Sequence, residues 1–145
     1  MRVSDIIKGK GNKVLGIKPE TPLCTAARLM SENWIGSVLV CSDGGRMMGI
    51  LFERDLVRAM AENPGLVSKM KAEDVYNKHP ATCSPDDSLE TAMNIMSEKR
   101  CRHMPVIENG ALKGIISIGD VFKYLLDQVV QTQDDLLWTG TTDLM

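Results

Sequence analysis

The sequence predicts an α+β fold in which one β-α-β-β-α unit is repeated twice and the two copies pack about a pseudo-twofold axis. Three observations carry that expectation. The chain matches itself at a shift of 66 residues. Each copy holds an amphipathic helical stripe followed by two apolar runs with a Gly-bearing link between them. The length of 145 residues suits one compact module with a sizeable core, and 43% hydrophobic residues suffice to fill it.

The self-match runs in order along the chain. Pro19 falls on Pro85, Leu23 on Leu89, Thr25-Ala26 on Thr91-Ala92, and Met30-Ser31-Glu32 on Met96-Ser97-Glu98. Val40 then falls on Val106 and Gly44 on Gly110. One residue is lost in the turn that follows, so that at a shift of 65 Gly49-Ile50 falls on Gly114-Ile115 and Asp55 on Asp120. A gap inside a Gly-containing turn costs a fold least.

Each copy opens with a short extended segment ahead of a proline, 14–17 before Pro19 and 81–83 before Pro85. A helix follows. Thr21 is the expected N-cap of the first, with Pro22 at its first position. Asp87 and Glu90 have capping-box spacing at the start of the second. Leu23, Ala26, Ala27 and Met30, and then Leu89, Ala92, Met93 and Met96, follow the i, i+3, i+4, i+7 rule of one buried stripe.

Two strands come next, 37–41 and 47–52 in the first copy, 104–107 and 112–117 in the second. Their short Gly-bearing links read as hairpins. A closing helix is expected over 53–62 and again from 120 to about 131. Segments 3–7 and 71–76 are matching lead-in helices. The resulting division is 1–64 for the first repeat, 65–131 for the second and 132–145 for a polar tail carrying Leu136-Leu137-Trp138. Neither copy covers both faces of its own three-stranded sheet, which is the reason to expect the pair to pack together.

Seventeen Lys and Arg against nineteen Asp and Glu leave a net charge of −2, which gives no general pull toward nucleic acid or an anionic membrane. The start lacks a basic segment followed by an apolar run, and no stretch reaches the ~18 apolar residues of a spanning helix, so a cytoplasmic protein is expected. Cys24, Cys41, Cys83 and Cys101 form no CxxC pair, and His79 and His103 do not stand at zinc-ligand spacing from them. They read as four small apolar side chains in a reducing compartment. No Ser-His-Asp or Cys-His constellation is present to argue for an enzyme.

The segments Gly49-Ile50-Leu51-Phe52-Glu53-Arg54-Asp55, Arg102-His103-Met104-Pro105-Val106-Ile107 and Gly114-Ile115-Ile116-Ser117-Ile118-Gly119-Asp120 resemble a tandem pair of CBS domains (the cystathionine-β-synthase type). The resemblance covers roughly 3–131 and is to the stand-alone kind, with no enzyme or channel attached. It implies a paired Bateman module that binds an adenine nucleotide (AMP, ATP or NAD) between the repeats and signals to another protein. It also implies a flat homodimer built through the helices.

Given that resemblance, a carboxylate at Asp120 can accept both ribose hydroxyls and Ser117 can bond ribose or phosphate, at a helix N-terminus that favours phosphate. Either residue alone reads as a helix cap; in the duplicated context and with the resemblance, ribose binding is preferred for Asp120, with capping as a compatible second role. In the first copy Asp55 is retained and Arg54 can neutralise a phosphate, but Phe52 stands where the family usually has Thr or Ser. In the family the His103 position often faces the phosphates, and Arg102 and Pro105 stand beside it. Arg100 is read as a solvated strand edge. Thr82 and Cys83 occupy the place where the family presents backbone and small side chains to the adenine ring.

Lys8, Lys10, Lys13 and Lys18 with Gly9, Gly11 and Gly16 form a basic loop that is not a P-loop; it is solvated surface or a fold-over for polyphosphate. The ligand-facing positions differ between copies, Phe52 against Ser117 and Gly36-Ser37 against Arg102-His103, so an unsymmetrical binding site is expected. Two other readings stay open: an interaction scaffold whose clefts hold no ligand, and a redox switch through Cys101.

Overall fold

The computed structural model describes residues 1–10 and 14–138, with backbone only for Lys10 and 132–138. Its elements, in order, are α1 (Val3–Lys10), β1 (Gly16–Ile17), α2 (Leu23–Glu32), β2 (Ser37–Cys41), β3 (Met47–Phe52), α3 (Glu53–Glu62), α4 (Leu89–Lys99), β4 (His103–Glu108), β5 (Ala111–Ser117) and α5 (Ile118–Trp138). Two 3₁₀ turns, Val67–Lys69 and Ala72–Asp74, lie between α3 and α4.

The two sheets are built alike. β1 runs parallel to β2, and β2 pairs antiparallel with β3, Leu39 facing Ile50 and Val40 facing Gly49. In the second repeat Cys83 bridges Val106 in parallel and β4 pairs antiparallel with β5, His103 facing Ser117. Both hairpins carry an irregularity at the same place, after Val40 and after Val106.

Strand periodicity explains how the repeats are joined. Val38, Val40 and Leu51 enter a core with Leu23, Ala26, Met30 and Ala59 of the first repeat's own helices. The alternate residues Leu39, Ile50 and Phe52 point the other way, into a core with Met96, Met104, Val106 and Ile116 of the second repeat. Successive strand side chains face opposite sides of a sheet. A sheet covered on both sides therefore needs apolar residues at consecutive positions, as in Ser37–Cys41, where four of five residues are buried and the fifth half-buried.

The lead-in segments are exchanged. α1 precedes the first repeat but docks on the second: Val3 N–H donates to Asp87 O and Ser4 N–H to Pro85 O, both at 2.9 Å. The turn before the second repeat docks on the first in the same way, Ala72 N–H donating to Thr21 O at 2.9 Å and Glu73 N–H to Pro19 O at 2.8 Å. Each lead-in also crosses the far strand of the repeat it docks on. Gly49 leaves room for Asn77 O and the Tyr76 ring, and Gly114 lies under Ile7, whose Cδ1 would stand 2.9 Å from an added Cβ. That approach is what the shared glycine of the repeat is for.

Several local expectations are corrected. Thr21 does not cap α2; its hydroxyl accepts the Lys18 N–H, and Pro22 precedes the helix without a side-chain cap. Ser88, not Asp87, caps α4 by accepting Thr91 N–H at 3.0 Å, while Asp87 accepts Ser84 N–H in the preceding turn. Met93 is 44% exposed and leaves the buried stripe. Cys24 is exposed rather than packed. Lys18 pairs with Asp43 at 3.1 Å rather than standing free for an anion. The last helix begins at Ile118 and its backbone continues past Gln131 to Trp138; residues 139–145 and Lys13 lie outside the described residues.

Candidate functional site

A cleft of about 570 Å³ lies where the two repeats meet. The first repeat lines it with Gly36, Phe52, Glu53 and Arg54, the second with Met96, Arg100, Cys101, Arg102, His103 and Ile118. Four cationic or potentially cationic side chains thus share one apolar-floored cleft with one carboxylate, the composition of an anion site.

Each comes from an element end. Arg54 stands in the first turn of α3, where its guanidinium lies 5.3 Å from the Phe52 ring centroid and donates to Arg100 O at 2.7 Å. That bond satisfies a carbonyl at the end of α4 and ties the repeats together. Arg100 is not on a strand edge, as its place before Pro105 suggested; it is the left-handed C-cap of α4, with φ 53°. Arg102 and His103 follow at the start of β4, and Arg102 O accepts Ile118 N–H at 2.8 Å, pinning the start of α5 beside them. The His103 ring is half-buried, 6.4 Å from the Phe52 ring. Gly36 makes room for it, since a Cβ there would meet His103 Cε1 at 2.9 Å.

The two aspartates of the repeat do not line this cleft. Asp120 and Ser117 form a reciprocal box at the α5 N-terminus: Asp120 N–H donates to Ser117 Oγ at 3.0 Å and Ser117 N–H to Asp120 Oδ2 at 2.9 Å. Asp120 borders a smaller crevice of about 210 Å³ between α1 and α5, with Asp5, Lys123 and Tyr124. Asp55 is 8% exposed; its Oδ2 accepts Phe52 N–H at 2.8 Å and its Oδ1 lies 3.9 Å from Arg58. Cys83 and Pro105 are buried, and the Cys83 backbone is taken by the sheet, its N–H donating to Pro105 O and its O accepting Ile107 N–H. Thr82 is exposed beside them.

Phe52 sits in the core and on the cleft floor at once. Glu53 and Arg100 belong to the cleft without having been singled out as ligand-facing, whereas Gly36 was expected there and lines it. A signal for Arg100 was available: it follows an apolar stripe where glycine is the usual helix terminator. Burial pushes the Cys101 thiol above its usual range, Arg54 pulling it only partway back, which opposes a thiolate at that wall. Among the described residues no helix is long and apolar enough to cross a membrane, and no group of three His, Cys, Asp or Glu is placed to hold a metal.

Comparison with known proteins identifies the family and the fold. The family model described as CBS domain matches residues 3–62 and 72–127. A 17.7 kDa uncharacterized protein of Acidianus ambivalens is 37% identical over 116 residues, 79% of this chain and 69% of that one. The crystal structure of a CBS-domain containing protein from Agrobacterium tumefaciens has a TM-score of 0.81 and 37% identity, covering 84% of this chain and 91% of its own. The protein CBSX2, solved in complex with AMP, has a TM-score of 0.72 and 25% identity over 87% of this chain and 96% of its own. The chain belongs to the CBS-domain family and is a tandem pair of such domains.

Proposed function

We propose that the pair is a regulatory module, not an enzyme, that binds an adenine nucleotide between its repeats and passes the binding on as a change in their mutual arrangement or in a homodimer contact. The observation that carries this is the cleft shared by Arg54, Arg100, Arg102 and His103, drawn from both repeats. Phosphate oxygens suit such a set because guanidinium groups pair them in charge-assisted bonds. Arg102 and His103 hold the phosphates in the cleft; Ser117 and Asp120, which cap α5 outside the cleft lining, are assigned the ribose of a nucleotide that reaches past Ile118, and Thr82, Cys83 and Pro105, also outside the lining, are assigned the base side. Cys83 can offer only its surroundings, because its backbone groups are spent in the sheet. Arg54 and Asp55 mark the corresponding end of the first repeat. That CBSX2 was solved with AMP supports the ligand class. A ligand that contacts both repeats shifts their populations only by its differential affinity for the arrangements, and the Arg54–Arg100 bond is the contact it would have to respect or replace.

Thermal unfolding in the presence of AMP, ATP and NAD tests the reading. A nucleotide that binds only the folded chain raises the melting temperature with concentration, by about 2.7 kcal/mol of stability at a hundredfold excess over Kd. Asp120→Asn keeps an oxygen for Ser117 N–H and removes the charge; with Arg102→Gln it should weaken binding roughly tenfold each at unchanged apo stability. No shift with any of the three at millimolar concentration sinks the nucleotide reading, and unchanged affinity in both variants sinks the residue assignment.

A further inference from the structure

A second cavity of about 600 Å³ adjoins the cleft and shares Gly36, Glu53, Arg102 and His103 with it. Trp34 is part of its lining. At a shift of 66 residues Trp34 corresponds to Arg100, and the backbone agrees, because both end a helix of the repeat at φ 53°. Glycine is the residue that helix ends use there, since a left-handed residue with a Cβ costs about 1–2 kcal/mol. Tryptophan recovers nothing by packing, because Trp34 is 95% exposed. Neither backbone conformation nor burial accounts for the largest side chain at this position. A ligand that stacks on it would.

We propose that Trp34 is a stacking platform for the second ring system of a dinucleotide whose phosphates lie on Arg102 and His103. The proposal rests on the nucleotide reading above and adds its ligand class. The two cavities meet at Arg102 and His103, so a pyrophosphate held there has one ring directed along the cleft and the other toward Trp34. Glu53 lines both cavities and would repel a phosphate, but it suits the hydroxyls of a ribose between pyrophosphate and outer ring. The duplication has thereby become a division of labour: the same helix end carries a cation in one copy and an aromatic plane in the other. A mononucleotide has only one ring and does not need the platform.

Binding of NAD and of AMP to the full chain decides it. The chain has two tryptophans, Trp34 and Trp138; in a Trp138→Phe background, NAD should quench the remaining fluorescence and AMP should not. Trp34→Ala should lower NAD affinity about tenfold, within the range for loss of one base–aromatic stack, with AMP affinity unchanged and Trp34→Phe retaining most of the NAD affinity. An NAD affinity indifferent to Trp34→Ala, an equal loss of AMP affinity, or conversion of a dimer to monomers by that substitution overturns the platform while leaving the nucleotide cleft in place. If the wild-type chain binds neither nucleotide, the cleft reading fails and the platform with it.

Discussion

The carboxylates of Asp5, Asp55, Asp74, Asp87 and Asp120 each accept a backbone N–H from three residues upstream, at 2.8 to 2.9 Å. This is a demand of helix and turn starts, whose first N–H groups lack intrahelical partners. It explains why the repeat keeps Asp55 and Asp120 whether or not both meet a ligand, and why spacing alone could not separate the two roles. The cysteines divide by depth in the same manner. Burial, with the nearby Asp87 charge adding, pushes the Cys83 thiol from 9.0 up to about 12, so the folded chain holds that proton more tightly than the unfolded one. The stabilisation is complete below pH 9 and is lost as pH rises from 9 to 12. Alkylation at pH 8, followed by mass spectrometry, should therefore modify exposed Cys24 at once and Cys83 only as fast as the chain opens. Rapid modification of Cys83 in the folded chain would contradict its burial and reopen the thiol as a reactive group.

Among the elements, β2 and β3 have the bounds that the sequence predicts, because a buried apolar run closed by a Gly-bearing turn is a local signal. The stripes of α2 and α4 were legible for the same reason, apart from Met93. The exchange of lead-ins was not. Periodicity shows that α1 is amphipathic but not which repeat covers it, because Val3 N–H to Asp87 O is a contact between distant parts of the chain. The cleft lining was half legible: Arg54, Arg102 and His103, singled out in the sequence, line it, while Arg100, and Trp34 of the adjoining cavity, entered only once the helices were seen to end left-handed. The exchange has a measurable consequence. Ile6 is 5% exposed and packs in the core of the second repeat. Ile6→Ala should cost about 2–5 kcal/mol, and hydrogen exchange should quicken in β4 and β5 before it does in the β2–β3 hairpin. Faster exchange confined to β2–β3 would show that α1 belongs to the repeat it precedes.

At the scale of the whole molecule, the internal twofold leaves matching helix faces uncovered. Val57 and Met60 of α3 are 65% and 61% exposed, and Phe122 of α5, which Val57 meets at a shift of 65, is 63% exposed. Leu126, Val129 and Val130 extend the α5 face. Exposed apolar side chains placed this way along helix faces mark an interface. A second copy is the occupant that fits the proposed homodimer, because an isologous contact buries the same patch on both copies and so covers both apolar faces at once. Each face then meets its own equivalent, and a change in the angle between repeats reaches the partner through four helices at once. Placing like charges opposite one another in such a contact costs several kcal/mol. Phe122→Glu combined with Val57→Glu should therefore yield a monomer in sedimentation equilibrium, with a melting temperature that no longer rises with protein concentration. The substitutions lie outside the cleft, so the isolated chain should still bind nucleotide. Should the doubly charged variant sediment as the wild type does, the helix faces do not form the dimer and the signal must leave the module by another surface.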